Sequence, residues 1–280
     1  VIGDGPKIYS NFINHNMNYS FFYAPGTAGY VRGTQIADYI GGKKNPESGY
    51  ENDVCVYVKV IPPENHPKHT YLDIDDSKRA LEYAGSHPEL GIIANSEYSR
   101  DFIAENLHRE DIIVIPHAHC NYERWIRPDR PVKTVGIIGS ITSFQSDINK
   151  FRDELKKIDL ELLYDVNYWD VYQYNRLKVC EFYKKVDIQV VYRPKMYATF
   201  LKNPNKLVNA ASFGIPTVAY PEDNFTEEWS ESFISASTVE NILTQCSWLK
   251  KPAYYKIWSD KILKRSQEYH IEKIAELYKN

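Results

Sequence analysis

Residues 202–220, KNPNKLVNAASFGIPTVAY, carry the signals for a helix start, a helix stop and a strand. Asn203 is a preferred N-cap residue, and Pro204 suits the first helical position because its missing N–H is not needed there. Gly214 favours a left-handed end to the helix, and Pro216 prevents the helix from resuming. The stretch therefore predicts a short helix that leads directly into a strand.

The predicted helix has two different faces. Leu207 and Ala210 lie on an apolar stripe that should pack against the protein. Asn205, Asn209 and Ser212 fall on another face, which we expect to be open for binding.

Lys206 lies in the first turn of this helix. The unpaired N–H groups and the positive dipole end of a helix form an anion site at this position. A lysine here opposes the dipole, which is expected where an anion lies between the two. The alternative is a solvated lysine on a surface helix.

The composition is that of a globular protein long enough for two domains, with 280 residues, 43% hydrophobic and 25% charged. A net charge of −3 gives no electrostatic support for nucleic-acid binding, which usually requires a basic domain or stripe. The four cysteines are far apart and form no CxxC pair, so we expect reduced thiols. No signal peptide and no apolar run of about 18 residues is evident, which predicts a cytoplasmic protein.

Short apolar runs alternate with helical patterns, from SFFYAPG at residues 20–26 to IIVIPHAH at 112–119, and the pattern restarts with TVGIIGS at 134–140. Such alternation indicates parallel sheets covered on both faces. We therefore predict an α/β protein with two doubly wound, Rossmann-like domains, residues 1–131 and 132–256, and a cleft between them where strand ends meet.

The terminal segment, residues 253–279, predicts one long amphipathic helix. We expect residues 257–280 to pack back on the first domain. Tyr254, Tyr255 and Trp258 stand among lysines, a mixture that also suits an anionic membrane surface. Packing against its own domains and peripheral membrane contact are the two interpretations of this helix.

The order of these segments, with IIANS and EYSRDFI before IIVIPH, then TVGIIGS, NKLVNAASFG and IPTVAY, resembles that of GT-B glycosyltransferases over nearly the whole chain. KLVNAASFGIPTVA is the sharpest match, because it is similar to the donor-site helix and following strand of nucleotide-sugar-dependent transferases. The resemblance implies that the second domain holds the nucleotide diphosphate and the first domain holds the acceptor. It also implies that a last helix crosses back between them.

The sequence departs from that family at one pair of positions. Many members carry two Glu residues with seven residues between them, whereas this chain has Leu201 and Asn209. The donor sugar, the stereochemical outcome and catalytic activity itself are therefore open.

The resemblance assigns donor-binding roles to the helix start. Asn205 and Lys206 would bind the donor diphosphate, and Asn209, one turn on, would reach a ribose or phosphate oxygen. These three residues are the predicted centre of the donor site.

Two strand ends should contribute to the same site. Arg193 follows the strand that precedes the helix, and its planar guanidinium can donate two parallel hydrogen bonds to a phosphate. A surface salt bridge is the alternative. Gly139 and Ser140 end the first strand of the second domain, where a missing side chain lets phosphate approach the backbone.

The glycine-rich segment after the first strand, with Gly26, Thr27 and Gly29, has no dinucleotide-binding spacing. The resemblance places this loop on the acceptor side of the cleft. A plain tight turn is the alternative.

A transferase must take a proton from the acceptor hydroxyl, which requires Asp, Glu or His at the cleft. Asp75 ends one strand of the first domain and His117 ends another, so both are candidates. Asp75 could instead start the next helix, a role also open to Asp76 and Ser77. His117 could be a hydrogen-bonded hinge residue.

A metal site is a further possibility in the first domain. His66, His69 and Asp73 have a suitable spacing, but they lie in a Pro-rich region with no fourth ligand. Because Lys206, Arg193 and the helix dipole can together offset the diphosphate charge, we predict a donor site that needs no metal and no cofactor besides the nucleotide-diphosphate sugar.

Together with these residues, the resemblance implies a metal-independent glycosyltransferase of hexosyl or related type that takes part in polysaccharide biosynthesis. The acceptor, whether a glycan, a lipid-linked molecule or a protein, is not specified. Alternatives are a nucleotide-sugar epimerase on the same fold and a catalytically silent nucleotide-sugar or glycan-binding protein.

Overall fold

The computed structural model describes residues 17–166, 175–195 and 200–279. It contains two separate sheets in which every paired strand is parallel. The six strands of the first sheet are β1 (Tyr19–Tyr23), β2 (Lys43–Lys44), β3 (Val54–Val58), β4 (Thr70–Asp73), β5 (Gly91–Ala94) and β6 (Ile112–Val114), in the order β2-β1-β3-β4-β5-β6.

Helices connect the strands of this first domain. A π-helical turn at Gly29–Thr34 leads into α1 (Gln35–Ile40), and α2 (Lys78–Gly85) and α3 (Glu97–Leu107) follow β4 and β5. The apolar run of β3, VCVYV, is buried along its whole length, as expected for a central strand covered on both faces.

The second sheet begins after a linker of irregular structure. Its five strands are β7 (Thr134–Ile138), β8 (Glu161–Asp165), β9 (Ile188–Val191), β10 (Thr217–Ala219) and β11 (Ile234–Ser235), in the order β11-β10-β9-β7-β8. The accompanying helices are α4 (Ile148–Lys157), α5 (Arg176–Lys184), α6 (Asn205–Ser212), α7 (Asp223–Trp229), α8 (Val239–Leu249), α9 (Pro252–Ser266) and α10 (Ile271–Leu277).

This architecture confirms the predicted α/β fold with two Rossmann-like domains. The helix α3 includes the whole segment EYSRDFI, and Ser96 and Ser99 form a capping box at its start. Sequence analysis missed α7 and the two-residue strand β2.

The prediction of one continuous terminal helix was wrong. A 3₁₀ turn at Gln267–Tyr269 follows α9, and His270 adopts an extended conformation and caps α10 through a bond from Glu272 N–H. The break lets α10 turn onto the first domain, where Ile271, Ile274 and Tyr278 join the core around Phe21.

Candidate functional site

The second sheet reverses its strand order between β7 and β9. From β7 the chain adds β8 on one side and then β9 on the other. Ligands of doubly wound sheets bind outside the carboxyl ends of the strands at such a switch point. Gly139 follows β7 and Arg193 follows β9, so the structure places both predicted donor-site residues at this edge.

Lys206 meets Gly139 at the switch point. A Cβ atom added to Gly139 would lie 2.6 Å from Lys206 Nζ and 2.9 Å from Ser143 Oγ, and Gly139 has a φ of +123°. The backbone conformation therefore favours glycine at this position, and a side chain here would displace the ammonium group of Lys206. The first turn of α6 thus reaches the end of β7.

The Lys206 ammonium is in an unusual electrostatic environment. Desolvation by the surrounding protein, followed by the positive charge of Arg193, lowers its pKa to about 7, and the Glu222 carboxylate opposes this shift. Among the residues that the structure describes, its Nζ has no hydrogen-bond or ion-pair partner. The neighbouring Asn205 Oδ1 is buried and likewise lacks a partner within the described ranges.

Arg193 is held by a residue that sequence analysis missed. Its guanidinium donates from Nε to Glu222 Oε1 at 2.6 Å and from Nη2 to the second carboxylate oxygen. Both side chains are buried, so this is not the surface salt bridge considered as an alternative. Glu222 follows β10, the neighbour of β9, and that position at the same sheet edge is the signal that could have identified it.

Two other predicted donor-site residues have internal partners. Ser140 Oγ lies 2.6 Å from Thr142 Oγ1, and Asn209 Oδ1 accepts a bond from Cys120 N–H at 2.8 Å. Asn209 and Ser212 are both buried, and Ser212 O accepts from the Asn121 amide. The expectation that the face of α6 with Asn209 and Ser212 is open was wrong, because Cys120 and Asn121 of the interdomain linker cover it.

The start of α6 differs by one residue from the predicted start. The helix begins at Asn205 with Pro204 in the cap position. Asn203 still has a capping role, since its Oδ1 accepts a bond from Asn205 N–H at 3.0 Å. Its Nδ2 faces the first domain, 3.3 Å from Asp75 Oδ1 and 3.2 Å from His117 Nε2.

The structure brings Asp75 and His117 together. His117 Nε2 lies 2.9 Å from Asp75 Oδ1, and Asn95 Nδ2 donates to the same oxygen at 2.9 Å. The N-cap of α2 is Ser77, so Asp75 does not start that helix. Asp75 has a φ of +44°, a strained backbone conformation for a non-glycine residue.

Charge rather than burial sets the protonation state of Asp75. Burial favours the neutral acid, but His117, Arg32 and Lys59 outweigh it and hold the pKa of Asp75 well below its usual range. Lys59 Nζ lies 3.9 Å from Asp75 Oδ2. The imidazole Nδ1 of His117 is buried and has no partner in the described part of the chain. The Asp75 carboxylate therefore contacts one imidazole nitrogen of His117 and leaves the other nitrogen without a partner.

The glycine-rich loop lies at the carboxyl end of β1, which is next to β3 at the switch point of the first sheet. Gly26 O accepts a bond from Tyr30 N–H at 3.0 Å. A Cβ atom on Gly29 would lie 2.3 Å from Ala24 O, so this glycine permits a close chain approach. Thr27 is partly buried in the same turn.

The candidate metal ligands are not brought together. Asp73 pairs with the buried Arg32, His66 lies 3.5 Å from Glu89 Oε1, and His69 is exposed. Across residues 17–166, 175–195 and 200–279, no group of three or more His, Cys, Asp or Glu side chains could hold a metal ion.

The remaining expectations concern thiols and the terminal helix. Cys55, Cys120, Cys180 and Cys246 are all free and buried. Tyr254, Tyr255 and Trp258 pack against the core of the second domain. Within the described ranges, the chain has no helix with the length and apolarity needed to cross a membrane.

No protein-family model and no curated protein sequence matches this chain. Solved structures do match in fold. A glycosyltransferase from Rickettsia africae has a TM-score of 0.57 and 11% identity, with 95% of this chain and 100% of that chain covered. The galactosyltransferase WaaB of the lipopolysaccharide outer core has a TM-score of 0.51 and 11% identity, with 94% and 98% covered.

Staphylococcus aureus TarM is a third similar structure. A TarM mutant in complex with fondaparinux, alpha-GlcNAc-glycerol and UDP has a TM-score of 0.54 and 16% identity, with 83% of this chain and 51% of that chain covered. The present chain thus spans about half the length of TarM. The structure consists of two parallel α/β domains, which contact each other through Asn203, Asp75 and His117. Together with these structural neighbours, this arrangement shows that the chain has the GT-B fold found in glycosyltransferases.

Proposed function

We propose that this protein is a glycosyltransferase that moves a sugar from a nucleotide-diphosphate donor to an acceptor without a metal ion. The observation that carries the proposal is the Lys206 ammonium, which lies over Gly139 at the switch point of the second sheet. An unpaired cation, a helix N-terminus and a strand end without a side chain converge there. This combination suits a diphosphate.

On the donor side, Lys206 and the N–H groups of α6 would hold the diphosphate. The bond between the anomeric carbon and the diphosphate oxygen breaks during transfer, so negative charge develops on that oxygen. Lys206 in its charged form stabilises this charge, whereas the charge of the nearby Arg193 guanidinium is offset by its pairing with Glu222. Such preorganised donors replace the role that a metal ion has in other transferases.

On the acceptor side, the dyad of Asp75 and His117 would take the proton. The acceptor oxygen forms a bond to the anomeric carbon as its proton moves to the dyad. The buried carboxylate of Asp75 orients the imidazole through the 2.9 Å contact at Nε2, and it stabilises the imidazolium once the proton has arrived. Gly26, Thr27 and Gly29 would line the acceptor side of the same cleft.

The structural neighbours guide the choice of donor. The TarM structure contains UDP, and WaaB is described as a galactosyltransferase. UDP-hexoses are therefore the first donors to test, with a glycan, lipid-linked or protein acceptor, as in polysaccharide biosynthesis. Four buried free thiols support a cytoplasmic location, and peripheral membrane contact would be made through α9.

Donor hydrolysis without acceptor tests the proposal. The protein is incubated with common nucleotide sugars in EDTA, and released nucleoside diphosphate and sugar are measured. Slow hydrolysis of one donor that survives chelation is expected. Binding without turnover indicates a silent binding protein, a 2-epimerised product indicates an epimerase, and activity restored only by magnesium or manganese contradicts metal independence.

A further inference from the structure

The side chain of Asn203 touches both halves of the proposed site. Its Oδ1 accepts the bond from Asn205 N–H at the start of α6, and its Nδ2 lies 3.3 Å from Asp75 Oδ1 and 3.2 Å from His117 Nε2. One amide group therefore connects the predicted diphosphate end of α6 with the dyad of the first domain. Asn203 belongs to the second domain in sequence, so the connection crosses the cleft.

The contact with Asp75 is the weakest of those that its Oδ1 accepts. His117 and Asn95 each approach this oxygen at 2.9 Å, whereas Asn203 is at 3.3 Å. The three groups share the lone pairs of one carboxylate oxygen, and the two closer groups make the stronger contacts. The Asn203 contact should be the first to break when the neighbourhood changes.

The contact with α6 involves a group that a diphosphate would also use. The first N–H groups of a helix have no intrahelical partner and are the donors that bind phosphate. A phosphate oxygen that approaches Asn205 N–H competes with Asn203 Oδ1. Displacement of Oδ1 frees the Asn203 side chain, and the Nδ2 contact with Asp75 is lost with it.

We propose that Asn203 is a positioning residue that couples donor binding at the start of α6 to the Asp75 and His117 dyad. The inference rests on the proposed function, since it requires a diphosphate at α6. In the absence of donor, Asn203 holds the dyad against the second domain. When donor binds, the dyad loses one hydrogen-bond donor and becomes more basic toward the acceptor hydroxyl.

A double-mutant cycle on nucleotide affinity tests this coupling. UDP is titrated by calorimetry into the full chain and into Asn203→Ser, Asp75→Asn and the double variant. Serine keeps a capping oxygen for α6 but cannot reach Asp75. Removal of the negative charge by Asp75→Asn should tighten UDP binding in every background. The factor by which Asp75→Asn tightens UDP binding should be about three to ten times larger when Asn203 is present than in the Asn203→Ser background.

Asn175 provides the matched control. Its Oδ1 caps α5 by accepting from Leu177 N–H at 2.9 Å, and the residue is exposed. A cycle of Asn175→Ser with Asp75→Asn should be additive. A residue that only caps a helix would give additive effects at 203 as well, so additivity there overturns the proposal.

The cycle also separates this inference from the proposed function. If the unsubstituted protein binds neither UDP nor another nucleoside diphosphate, the donor site and the coupling fall together. If it binds UDP and the Asn203 cycle is additive, the donor site stands and the coupling alone is wrong. Far-UV circular dichroism and thermal unfolding verify that each variant is folded.

Discussion

The protonation of Lys206 links the donor site to pH. Its pKa is lowered to about 7, first by desolvation and then by Arg193. A lysine that is part neutral near physiological pH binds phosphate only after it gains a proton. The same lysine in a solvated position would be charged throughout this range.

We expect UDP affinity to fall as the pH rises through the pKa of Lys206. Lys206 is charged below about pH 7 and neutral above it, whereas a bound diphosphate favours its charged form. Between about pH 7 and 9 the nucleotide itself stays fully ionised, because its second phosphate pKa is about 6. Each pH unit in this window should weaken binding up to about tenfold.

Calorimetry in two buffers of different ionisation enthalpy measures this effect. Proton uptake on binding should be visible near pH 8, and Lys206→Met should remove both the uptake and the pH dependence. A flat affinity across the window in the unsubstituted protein would contradict the assignment.

The buried pair of Arg193 and Glu222 allows a prediction about stability. Glu222→Ala leaves the guanidinium buried without its partner, which should lower the free energy of unfolding by about 3–5 kcal/mol. Glu227→Ala, at an exposed position of α7, should change it by less than about 0.5 kcal/mol. Urea unfolding followed by circular dichroism measures both. Equal stabilities of the two variants would show that the pair is dispensable.

The short helix α6 shows which features of an element are local. Gly214 has a φ of +70° and ends the helix as predicted. The signal is local, since a left-handed position favours glycine whatever the tertiary structure. The partners of Asn203 and Asn209 come from other elements, at Asp75 and Cys120. No pattern within the helix could have identified them.

Gly41 and Gly214 both have a positive φ but differ in the space around the Cβ position. Their alanine variants therefore distinguish backbone strain from side-chain packing. Gly41 has a φ of +77° with open space around its Cβ position, whereas a Cβ on Gly214 would lie 2.8 Å from Ser259 Oγ. Gly41→Ala should cost about 1 kcal/mol from backbone strain alone. Gly214→Ala should cost clearly more, because Ser259 Oγ also donates to Gly214 O at 2.7 Å. Thermal unfolding of both variants decides the matter, and equal losses would show that Ser259 simply moves away.

Other elements were predictable to different degrees. The alternation of apolar runs and helical patterns was sufficient to predict most helices and the succession of the larger strands along the chain. The missed helix α7 contains Phe225 and Trp229 but only seven residues, too few for a clear helical period. The break at His270 was not predictable either, because contacts of α10 with the first domain determine where the chain turns.

At the scale of the whole molecule, segment 201–203 joins the two domains. Leu201 is buried in the core of the first domain, and its carbonyl accepts a bond from Asn95 Nδ2 at 2.9 Å. Lys202 pairs with Asp76 of the first domain. The position where many GT-B glycosyltransferases carry Glu is thus an apolar contact between domains in this chain.

Leu201→Glu should therefore destabilise the protein rather than improve catalysis. The substitution removes a buried leucine and places an unpaired carboxylate in its pocket, for a loss of at least about 2–5 kcal/mol. Leu177→Glu is the matched control, since Leu177 is 56% exposed, and it should change stability little. Urea unfolding of both variants provides the comparison. A stable Leu201→Glu variant with faster donor hydrolysis would show that the cleft is organised as in the Glu-containing members.

Titration of UDP in EDTA into the unsubstituted protein, Lys206→Met and Lys178→Met tests the central claim most directly. Lys178 lies in the first turn of α5 and is exposed, so it matches Lys206 in helix position but not in surroundings. Loss of a charge-assisted contact of about 1.5–3 kcal/mol predicts about ten- to hundredfold weaker binding for Lys206→Met. Lys178→Met should bind as the unsubstituted protein does. Equal affinities in all three proteins would mean that the diphosphate site lies elsewhere.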